Sequence, residues 1–492
     1  MDDSDIRQIE AIFNPASIAI VGASNTFGKW GFDIFNNALT SSSVRKVYPV
    51  NKNAAEVHGI KAYPTIRALP ESVDFVIVAV PFQSVPEVMR DCVQKRVRAA
   101  LIISAGLAET GEEGAKFQQE IVDIARAEKI RVVGPNCMGN FNTTINFSTL
   151  RQGLTIKKGK IGLISQSGGF AWHILQCGTE MGVGFSKFVS TGNEADLYLE
   201  DFLEYLGQDK ETRVIIAYIE GLRGGERFLK LAKDITRKKP IVVMKVGKTK
   251  AGAEATKSHT AAIAGSDIVY DAIFRQAGVI RVDEVEGLFD VAAALLRQPL
   301  PRGRKVGILT SGGGFGCVIT DACERMGLEV ASLSPSTVER LNTILPPRWP
   351  HSNPVDTVAA GFVTYPCLWP LMEDANLDAL IVVEAIAYPA ARRNWIGSIP
   401  PSMREEVNKT LETQEEEELK HLDTAFDYME RYKKPLIISG AHTGSIRNSH
   451  AFKKLQDNGI LMYPTPERAA KVLAQLIEYS EYLSHQKPKP KQ

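Results

Sequence analysis

Short hydrophobic runs alternate along the chain with longer stretches in which hydrophobic residues recur at helical spacing. The runs are four to seven residues long and rich in Val and Ile, which is typical of strands buried on both faces. Their alternation with helical stretches predicts parallel βαβ units. The runs fall into three groups of five. The predicted strands are 17–22, 46–50, 74–80, 99–104 and 131–134; 160–165, 185–190, 213–219, 240–246 and 279–282; and 305–310, 328–333, 379–384, 435–440 and 460–463.

This grouping predicts an α/β protein of three consecutive domains, each a doubly wound parallel sheet. We place the domains at residues 1–150, 151–298 and 299–492. A stretch rich in Pro and Arg at 297–304 marks the second boundary. In the third domain we expect an acidic helical insertion near 401–422, whose four consecutive glutamates form a solvated face, and a flexible C-terminal tail.

Composition, net charge and hydropathy exclude several classes of protein. The 58 Lys and Arg against 57 Asp and Glu give a net charge of +1, which argues against a nucleic-acid-binding surface. The six cysteines form no CxxC pair, so we expect neither a metal site nor a disulfide framework. No hydrophobic run approaches the roughly 18 residues of a membrane span, and the polar N-terminus is no signal peptide. We therefore expect a soluble cytoplasmic protein without a membrane partner.

Ligands of open parallel sheets bind beyond the carboxyl ends of the strands. The first predicted strand is followed by a glycine turn at Gly22 and a helix start, whose free N–H groups favour an anion. The pattern is not GxGxxG, and the second strand ends at Asn51 rather than at the acid that holds a ribose, so a nicotinamide site is disfavoured. Tight βα turns alone would also explain these residues.

Two glycine-rich helix starts occupy equivalent positions in the second and third domains. Each combines hydroxyl groups with N–H groups that suit a phosphate, and neither carries the lysine of a Walker A motif. Two such loops are stronger evidence than one. The candidate phosphate-binding residues are Ser165, Ser167, Gly168 and Gly169 in the second domain and Gly312, Gly313 and Gly314 in the third.

A segment of small residues at 250–267 contains His259. A neutral imidazole in such a loop is a candidate nucleophile toward phosphorus. Glu220, at the end of the third strand of the same domain, is placed to orient it. The alternatives are a solvated loop histidine and an ordinary acid at a strand end.

The order of nine motifs resembles NDP-forming acyl-CoA synthetases, which are related to succinyl-CoA synthetase. The resemblance covers roughly residues 8 to 480, and the motifs are VGAS, GPNCMGNFN, SQSGG, YIEG, KSHTAAIAG, TSGGGFG, DACERMGL, NPVD and PTPERA. It implies a Rossmann-like CoA-binding domain followed by two flavodoxin-like ligase domains.

The resemblance also implies site residues and a reaction. His259 matches the phosphorylated histidine of the family, Glu220 the acid beside it, and the two glycine-rich helix starts its phosphate sites. The reaction is acyl-CoA + ADP + phosphate ⇌ acid + ATP + CoA, through an acyl phosphate and a phosphohistidine. The residues implied in CoA binding are Gly22, Ser24, Lys29, Asn51, Pro81 and Asn136.

This chain resembles a separate α subunit. We therefore expect an ATP-grasp β subunit that carries ADP or ATP with Mg²⁺, in an α2β2-type assembly. Two other functions stay open, which are a non-catalytic CoA-sensing protein of the same fold and a nicotinamide oxidoreductase.

Aromatic residues near strand ends would fit a larger or aromatic acid as the substrate, although such residues usually pack in the core. They are Phe141, Phe147, Phe315, Trp349 and Trp395.

Overall fold

The computed structural model describes residues 3–151, 154–259, 266–358 and 363–486, with side chains from residue 6 onward except those of 257–259. The chain forms two compact units, residues 1–289 and 290–492. Each unit is described by itself.

The first sheet has the strand order β2-β1-β5-β6-β7, and all of its strands are parallel. All four residues of its central strand β5 are buried, as expected for a strand covered on both faces. The pair β3 and β4 forms a separate antiparallel hairpin. In chain order the elements are α1 (Asp3–Phe13), β1 (Ser17–Val21), α2 (Trp30–Leu39), β2 (Lys46–Val50), β3 (Glu56–Val57), β4 (Ile60–Lys61), β5 (Phe75–Val78), α3 (Val85–Gln94), β6 (Ala99–Ile102), α4 (Glu112–Ala127) and β7 (Arg131–Val133).

The second sheet has the order β14-β13-β12-β10-β11-β8-β9. Its first five strands in this order are parallel, whereas β8 runs antiparallel to β11 and β9 antiparallel to β8. The elements are β8 (Asn140–Asn142), β9 (Phe147–Ser148), β10 (Lys158–Ser165), α5 (Gly168–Glu180), β11 (Phe185–Ser190), α6 (Leu199–Gln208), β12 (Val214–Ile219), α7 (Gly225–Thr236), β13 (Ile241–Lys245), α8 (Lys250–His259), α9 (Asp267–Ala277), β14 (Ile280–Val282) and α10 (Val285–Arg297).

The third sheet has the order β16-β15-β18-β19-β20, with β17 paired to β15, and its strands are parallel. The elements are β15 (Lys305–Thr310), α11 (Gly313–Arg325), β16 (Glu329–Val330), α12 (Pro335–Ile344), β17 (Val355–Asp356), α13 (Thr364–Glu373), β18 (Ala379–Val383), α14 (Tyr388–Arg393), α15 (Arg404–Tyr432), β19 (Leu436–Ser439), α16 (Gly444–Arg447), α17 (His450–Asp457), β20 (Met462–Tyr463) and α18 (Pro466–His485).

One winding pattern recurs in all three sheets. Counting only the parallel core strands, the spatial order is second, first, third, fourth and fifth. The direction of winding therefore reverses beside the first strand of each sheet, next to β1, β10 and β15. The predicted α/β fold of consecutive doubly wound sheets is confirmed. The reversal points are where such sheets bind ligands.

The first two sheets share one compact unit. The strands β8 and β9 precede the expected boundary at residue 150 and yet extend the second sheet. Side chains of both sheets, among them Ile18 and Ile164, belong to one hydrophobic cluster. The division at 150/151 and 298/299 stays a prediction.

The solvated face expected for the four glutamates of α15 is wrong in part. Glu415 and Glu418 are buried, whereas the two glutamates between them are exposed, because residues three apart lie on the same face of a helix. Glu418 accepts hydrogen bonds from the Ala387 N–H at 2.8 Å and the Tyr365 hydroxyl at 3.3 Å. Burial raises the pKa of Glu418 to about 7 against the effect of these bonds.

Within the described ranges, every helix is too short or too polar to cross a lipid bilayer.

Candidate active site

A cavity of about 880 Å³ lies in the first unit, where the carboxyl ends of the first two sheets meet. Its size is in the range of small-molecule sites. Residues that follow β1, β5, β6 and β7 line one side, and the start of α5 with the segment after β11 lines the other. The described lining residues are Phe27, Gly28, Trp30, Asp33, Ala79, Val80, Ile103, Ser104, Ala105, Asn136, Cys137, Met138, Arg151, Gln166, Ser167, Gly168, Gly169, Trp172, Gly192 and Asn193.

The turn after β1 requires glycine. Gly22 has φ = 94°, and a Cβ there would lie 2.4 Å from the carbonyl oxygen of Ala79. At Gly31 in α2, a Cβ would lie 1.8 Å from the carbonyl oxygen of Gly22. The turn, α2 and the end of β5 are thus packed backbone to backbone at the cavity rim.

The other residues expected to hold CoA divide into two groups. Asn136 lines the cavity, whereas Gly22, Ser24, Lys29, Asn51 and Pro81 lie in the flanking segments and are not among its lining residues. The Asn51 side chain serves the protein itself, since it donates to the Ala23 carbonyl at 2.8 Å and accepts from the Asn53 N–H at 2.8 Å.

The two sheets are joined beside the cavity by the segment after β11. A Cβ at Gly192 would lie 2.2 Å from the carbonyl oxygen of Pro135. The Asn193 amide donates to Glu109 at 2.6 Å and accepts from the Asn136 amide at 3.3 Å. Burial acts to raise the pKa of Glu109, but hydrogen bonds from Asn193 and from the backbone hold that pKa below its usual value.

The start of α5 has the geometry of an anion site. The Ser167 hydroxyl caps the helix by accepting the Phe170 N–H at 3.3 Å, and the Ser165 hydroxyl donates to the Ser167 carbonyl at 2.7 Å. The first N–H groups of a helix have no intrahelical partner, so those of Gly168 and Gly169 remain for a ligand. The space beside Gly169 is open, because an added Cβ would meet nothing within 4 Å.

Gln166 ties this helix start to Glu220. Its side-chain oxygen accepts the N–H groups of Glu220 at 2.6 Å and Gly221 at 3.0 Å, and its nitrogen donates to the Gly221 carbonyl at 2.7 Å. Both Gln166 and Glu220 are buried. The predicted phosphate loop and the predicted acid thus lie at neighbouring strand ends, joined by one side chain.

Lys245, at the end of β13, was not predicted. It pairs in register with Ile219, the residue before Glu220, and its ammonium lies 4.4 Å from the centre of the Tyr270 ring. Burial lowers the pKa of Lys245 to about 8, against the attraction of Asp267 and Glu220. This places a buried cation at the strand end next to Glu220.

His259 is the last residue of α8. Its side chain and the predicted loop that follows it lie outside the described residues, so its role stays a prediction.

The second glycine-rich helix start, in the second unit, repeats the backbone of the first. The Thr310 hydroxyl donates to the Gly312 carbonyl at 3.1 Å, and α11 begins at Gly313. An added Cβ at Gly314 would again meet nothing, whereas one at Gly313 would lie 3.5 Å from a carboxylate oxygen of Asp356. An acidic group therefore accompanies this helix start.

A second feature missed from the sequence is a cation and an aromatic ring that both line the cavity. The Arg151 guanidinium is 3.2 Å from Asp33, donates to the Gly28 carbonyl at 2.9 Å, and lies 5.4 Å from the centre of the Trp30 ring. No sequence motif brings residues 30 and 151 together.

The aromatic residues predicted near a substrate lie elsewhere. Phe141, Phe147 and Trp349 are buried in the core, and neither Phe315 nor Trp395 lines the cavity. Trp30 and Trp172 do line it. Trp172 lies one helical turn after Gly168, the first residue of α5. Its spacing from the glycine motif in the sequence could therefore have identified it as a residue near the site.

Comparisons with known proteins agree with this geometry. Residues 16–143 match the family described as a CoA binding domain, and residues 158–295 match the family described as a succinyl-CoA ligase like flavodoxin domain. The chain is 40% identical over 76% of its length to the Pyrococcus furiosus protein named acetate–CoA ligase [ADP-forming] II subunit alpha, and it covers 82% of that protein. It is 36% identical over 98% of its length to subunit alpha of ligase I from the same organism, and it covers all of that chain.

The chain belongs to the ADP-forming acyl-CoA ligase family. A solved structure of acetyl-coenzyme A synthetase 1 from Ca. Korarchaeum cryptofilum, in complex with phosphate and ADP, matches 97% of the chain with a TM-score of 0.85 at 30% identity. Other relatives are longer, and the chain spans 56% of one and 63% of another. The family membership confirms the resemblance read from the nine motifs, and it gives no support to a non-catalytic CoA sensor.

Proposed function

We propose that this chain acts as the α subunit of an ADP-forming acyl-CoA ligase, interconverting acyl-CoA, ADP and phosphate with a carboxylic acid, ATP and CoA. The observation that carries the proposal is the shared cavity. One side belongs to the domain matched as CoA-binding, and the other is the open helix start of α5. A thioester and a phosphate held at these two places would be neighbours.

The first step joins phosphate to the acyl group. A phosphate oxygen attacks the thioester carbonyl, the carbon–sulfur bond breaks, and the sulfur leaves with its electron pair and takes up the proton that the phosphate gives up, which yields the CoA thiol. The α5 start, with Ser165, Ser167, Gly168 and Gly169, supplies N–H groups and a helix dipole for the phosphate charge. Because these dipoles are fixed before the substrates arrive, charge neutralisation costs no rearrangement.

The second step moves the phosphoryl group to His259. An imidazole nitrogen attacks phosphorus, and the bond to the acyl oxygen breaks, which releases the carboxylate. Glu220 balances the imidazolium charge, and its backbone is held by Gln166. In the third step an oxygen of ADP takes the phosphoryl group from His259. Gly312, Gly313 and Gly314 form a second proposed phosphate site.

Relatives named as α subunits imply a partner subunit. We propose that the partner is an ATP-grasp β subunit that holds ADP or ATP with Mg²⁺, and that the assembly is of the α2β2 type. For CoA we propose the rim formed by Gly22, Ser24, Lys29, Asn51, Pro81 and Asn136. Within that rim Lys29 is exposed at the start of α2 and suits a CoA phosphate.

The test is ATP formation from a panel of acyl-CoA thioesters, ADP and phosphate, with a candidate ATP-grasp subunit present. We expect turnover with the wild-type chain and loss of at least about a thousandfold in His259→Ala, because the covalent acceptor is removed. His485→Ala, at the exposed end of α18, is the matched control and should retain turnover. Equal activity in the two variants would contradict the proposal.

A further inference from the structure

Glu194 is a buried carboxyl group that the proposed reaction does not use. It is 3% exposed, and its backbone has φ = 53°, a left-handed conformation that is unfavourable for a residue other than glycine. Every bond to it that the structure gives comes from a donor. One carboxyl oxygen accepts the Thr191 hydroxyl at 2.9 Å and the Leu199 N–H at 3.0 Å, and the Thr191 N–H donates to the Ser165 carbonyl of the proposed phosphate loop at 2.8 Å. Hydrogen bonding from the Gln166 side chain acts to lower the pKa of the Glu194 carboxyl.

Gln166 connects Glu194 to the proposed phosphoryl-transfer residues. The same amide that bonds with Glu194 holds the N–H groups of Glu220 and Gly221. Gln166 itself lies between Ser165 and Ser167 in the proposed phosphate loop. A change at the Glu194 carboxyl therefore reaches both the loop and the Glu220 backbone through a single side chain.

The chain neighbour of Glu194 connects it to the cavity. Asn193 lines the cavity and bonds with Glu109 and Asn136, both from the CoA-binding domain. The Arg223 guanidinium donates to the Asn193 carbonyl at 2.9 Å and lies 3.8 Å from the Glu194 carboxylate. The segment 192–194 thus spans from the cavity wall to Gln166.

We propose that Glu194 is a positioning residue for phosphoryl transfer to His259, acting through Gln166 on the backbone of Glu220 and on the phosphate loop. This inference rests on the proposed function. In its ionised form Glu194 accepts from all the donors around it. A protonated carboxyl, or the amide of a glutamine, would turn a hydrogen of its own toward those donors and displace the Gln166 amide.

Among the described residues, the charged groups that act most strongly on Glu194 are Arg223, from the turn after β12, and Glu200, from α6. Burial, together with Glu200, raises the pKa of Glu194 to about 7, while Gln166, Thr191 and Arg223 oppose the increase. The ordered, ionised form therefore prevails above pH 7, and the disturbed form below it.

The experiment measures the rate of phosphohistidine formation from acyl-CoA and labelled phosphate in the full chain, as wild type and as Glu194→Gln, from pH 5.5 to 8.5. The ratio of the two rates cancels the pH dependence that both proteins share, including that of phosphate. We expect this ratio to rise from near one at low pH to about tenfold at high pH, since small displacements of catalytic groups have effects of this order. The Kd for CoA should stay unchanged.

The matched control is Glu200→Gln, which neutralises a neighbouring buried carboxyl that accepts from the Gly224 N–H at 3.1 Å. Because the Glu200 charge helps to raise the pKa of Glu194, the rate of this variant should begin to rise at a lower pH than that of wild type, and the two rates should become equal at high pH. If Glu194→Gln does not fold, Thr191→Val tests the same point. Loss of the Thr191 donor raises the pKa of Glu194, so the rate in this variant should begin to rise at a higher pH than in wild type.

A ratio of wild-type to Glu194→Gln rates that does not change with pH overturns the inference, and so does a pH profile of Thr191→Val identical to that of wild type. The proposed function would still stand in either case if the wild-type protein becomes labelled. Absence of label in the wild type, with any acyl-CoA, overturns both.

Discussion

The start of α5 and the start of α11 are two copies of one local structure. In each, a hydroxyl at the end of the first strand of the sheet donates to the carbonyl of the residue two positions on, at 2.7 Å from Ser165 and 3.1 Å from Thr310. Two glycines then begin the helix, and an added Cβ on the second, Gly169 or Gly314, meets open space.

The two helix starts differ in the residue beside the first glycine. Ser165 pairs in register with Ser190, whereas Thr310 pairs with Asp356. The nearest polar atom of each of these partners lies 3.5 Å from a Cβ built on Gly168 or Gly313. The Ser190 hydroxyl is buried and has no hydrogen-bond partner among the described residues. A neutral hydroxyl thus stands at one helix start and a carboxylate at the other.

This difference shows that a glycine-rich helix start does not by itself define a phosphate site. The dipole of α5 is free for an anion, whereas the carboxylate of Asp356 partly neutralises that of α11. We therefore expect α5 to bind bare phosphate more tightly than α11.

The largest contrast should come from placing a new carboxylate at each helix. Gly169→Asp should weaken binding of inorganic phosphate by at least about tenfold, because two anions a few ångströms apart repel. Gly314→Asp should change it by less than about threefold. Isothermal titration of the full chain measures both. The added side chains enter open space, so both variants should fold, and equal losses would remove the distinction between the two sites.

A smaller effect of opposite sign should follow removal of the charge at α11. Asp356→Asn should raise phosphate affinity by a few-fold, because the dipole of α11 is no longer opposed. The increase should diminish at high salt, which screens the charge. A loss of affinity in this variant would instead make Asp356 part of the phosphate site.

The smallest effect concerns the caps. Ser167→Ala should lower the free energy of unfolding by about 1 kcal/mol, since Ser167 accepts the Phe170 N–H. The N-cap of α11 is Gly312, which has no side chain to accept a hydrogen bond. Gly312→Ser should therefore raise the free energy of unfolding by only a few tenths of a kcal/mol. Chemical denaturation followed by circular dichroism measures both. A Ser167→Ala variant as stable as wild type would show that its hydroxyl does not support the helix.

The sequence predicted the fold well because buried parallel strands leave an unmistakable pattern. Each of the fifteen predicted runs contains a strand. The strands that were missed are two or three residues long, as in β9 and β17, and are held by register and turns rather than by their own hydrophobic content. The buried glutamates of α15 were missed because a run of four acids has no visible periodicity.

The site was predicted less completely. Glycines and hydroxyls at strand ends locate Ser165 to Gly169, because the fold directs those ends to one edge. The sequence does not show which side chains meet at neighbouring strand ends or across two sheets. Arg151 with Trp30, Lys245 beside Glu220, and Glu194 beneath Gln166 all depend on such meetings. The sequence signal for the position of Glu194 was the pair Gly192-Asn193, which directly precedes it after β11.

The central claim is that phosphate bound at α5 passes to His259. Its most direct test is to incubate the chain with acyl-CoA and labelled phosphate and to locate the label by peptide mapping. The account predicts an acid-labile, base-stable label on His259 that, at phosphate concentrations below the wild-type Kd, is strongly reduced in Gly169→Asp and retained in Gly314→Asp. A label on any other residue, or a label on His259 that is undiminished in Gly169→Asp under these conditions, would contradict it.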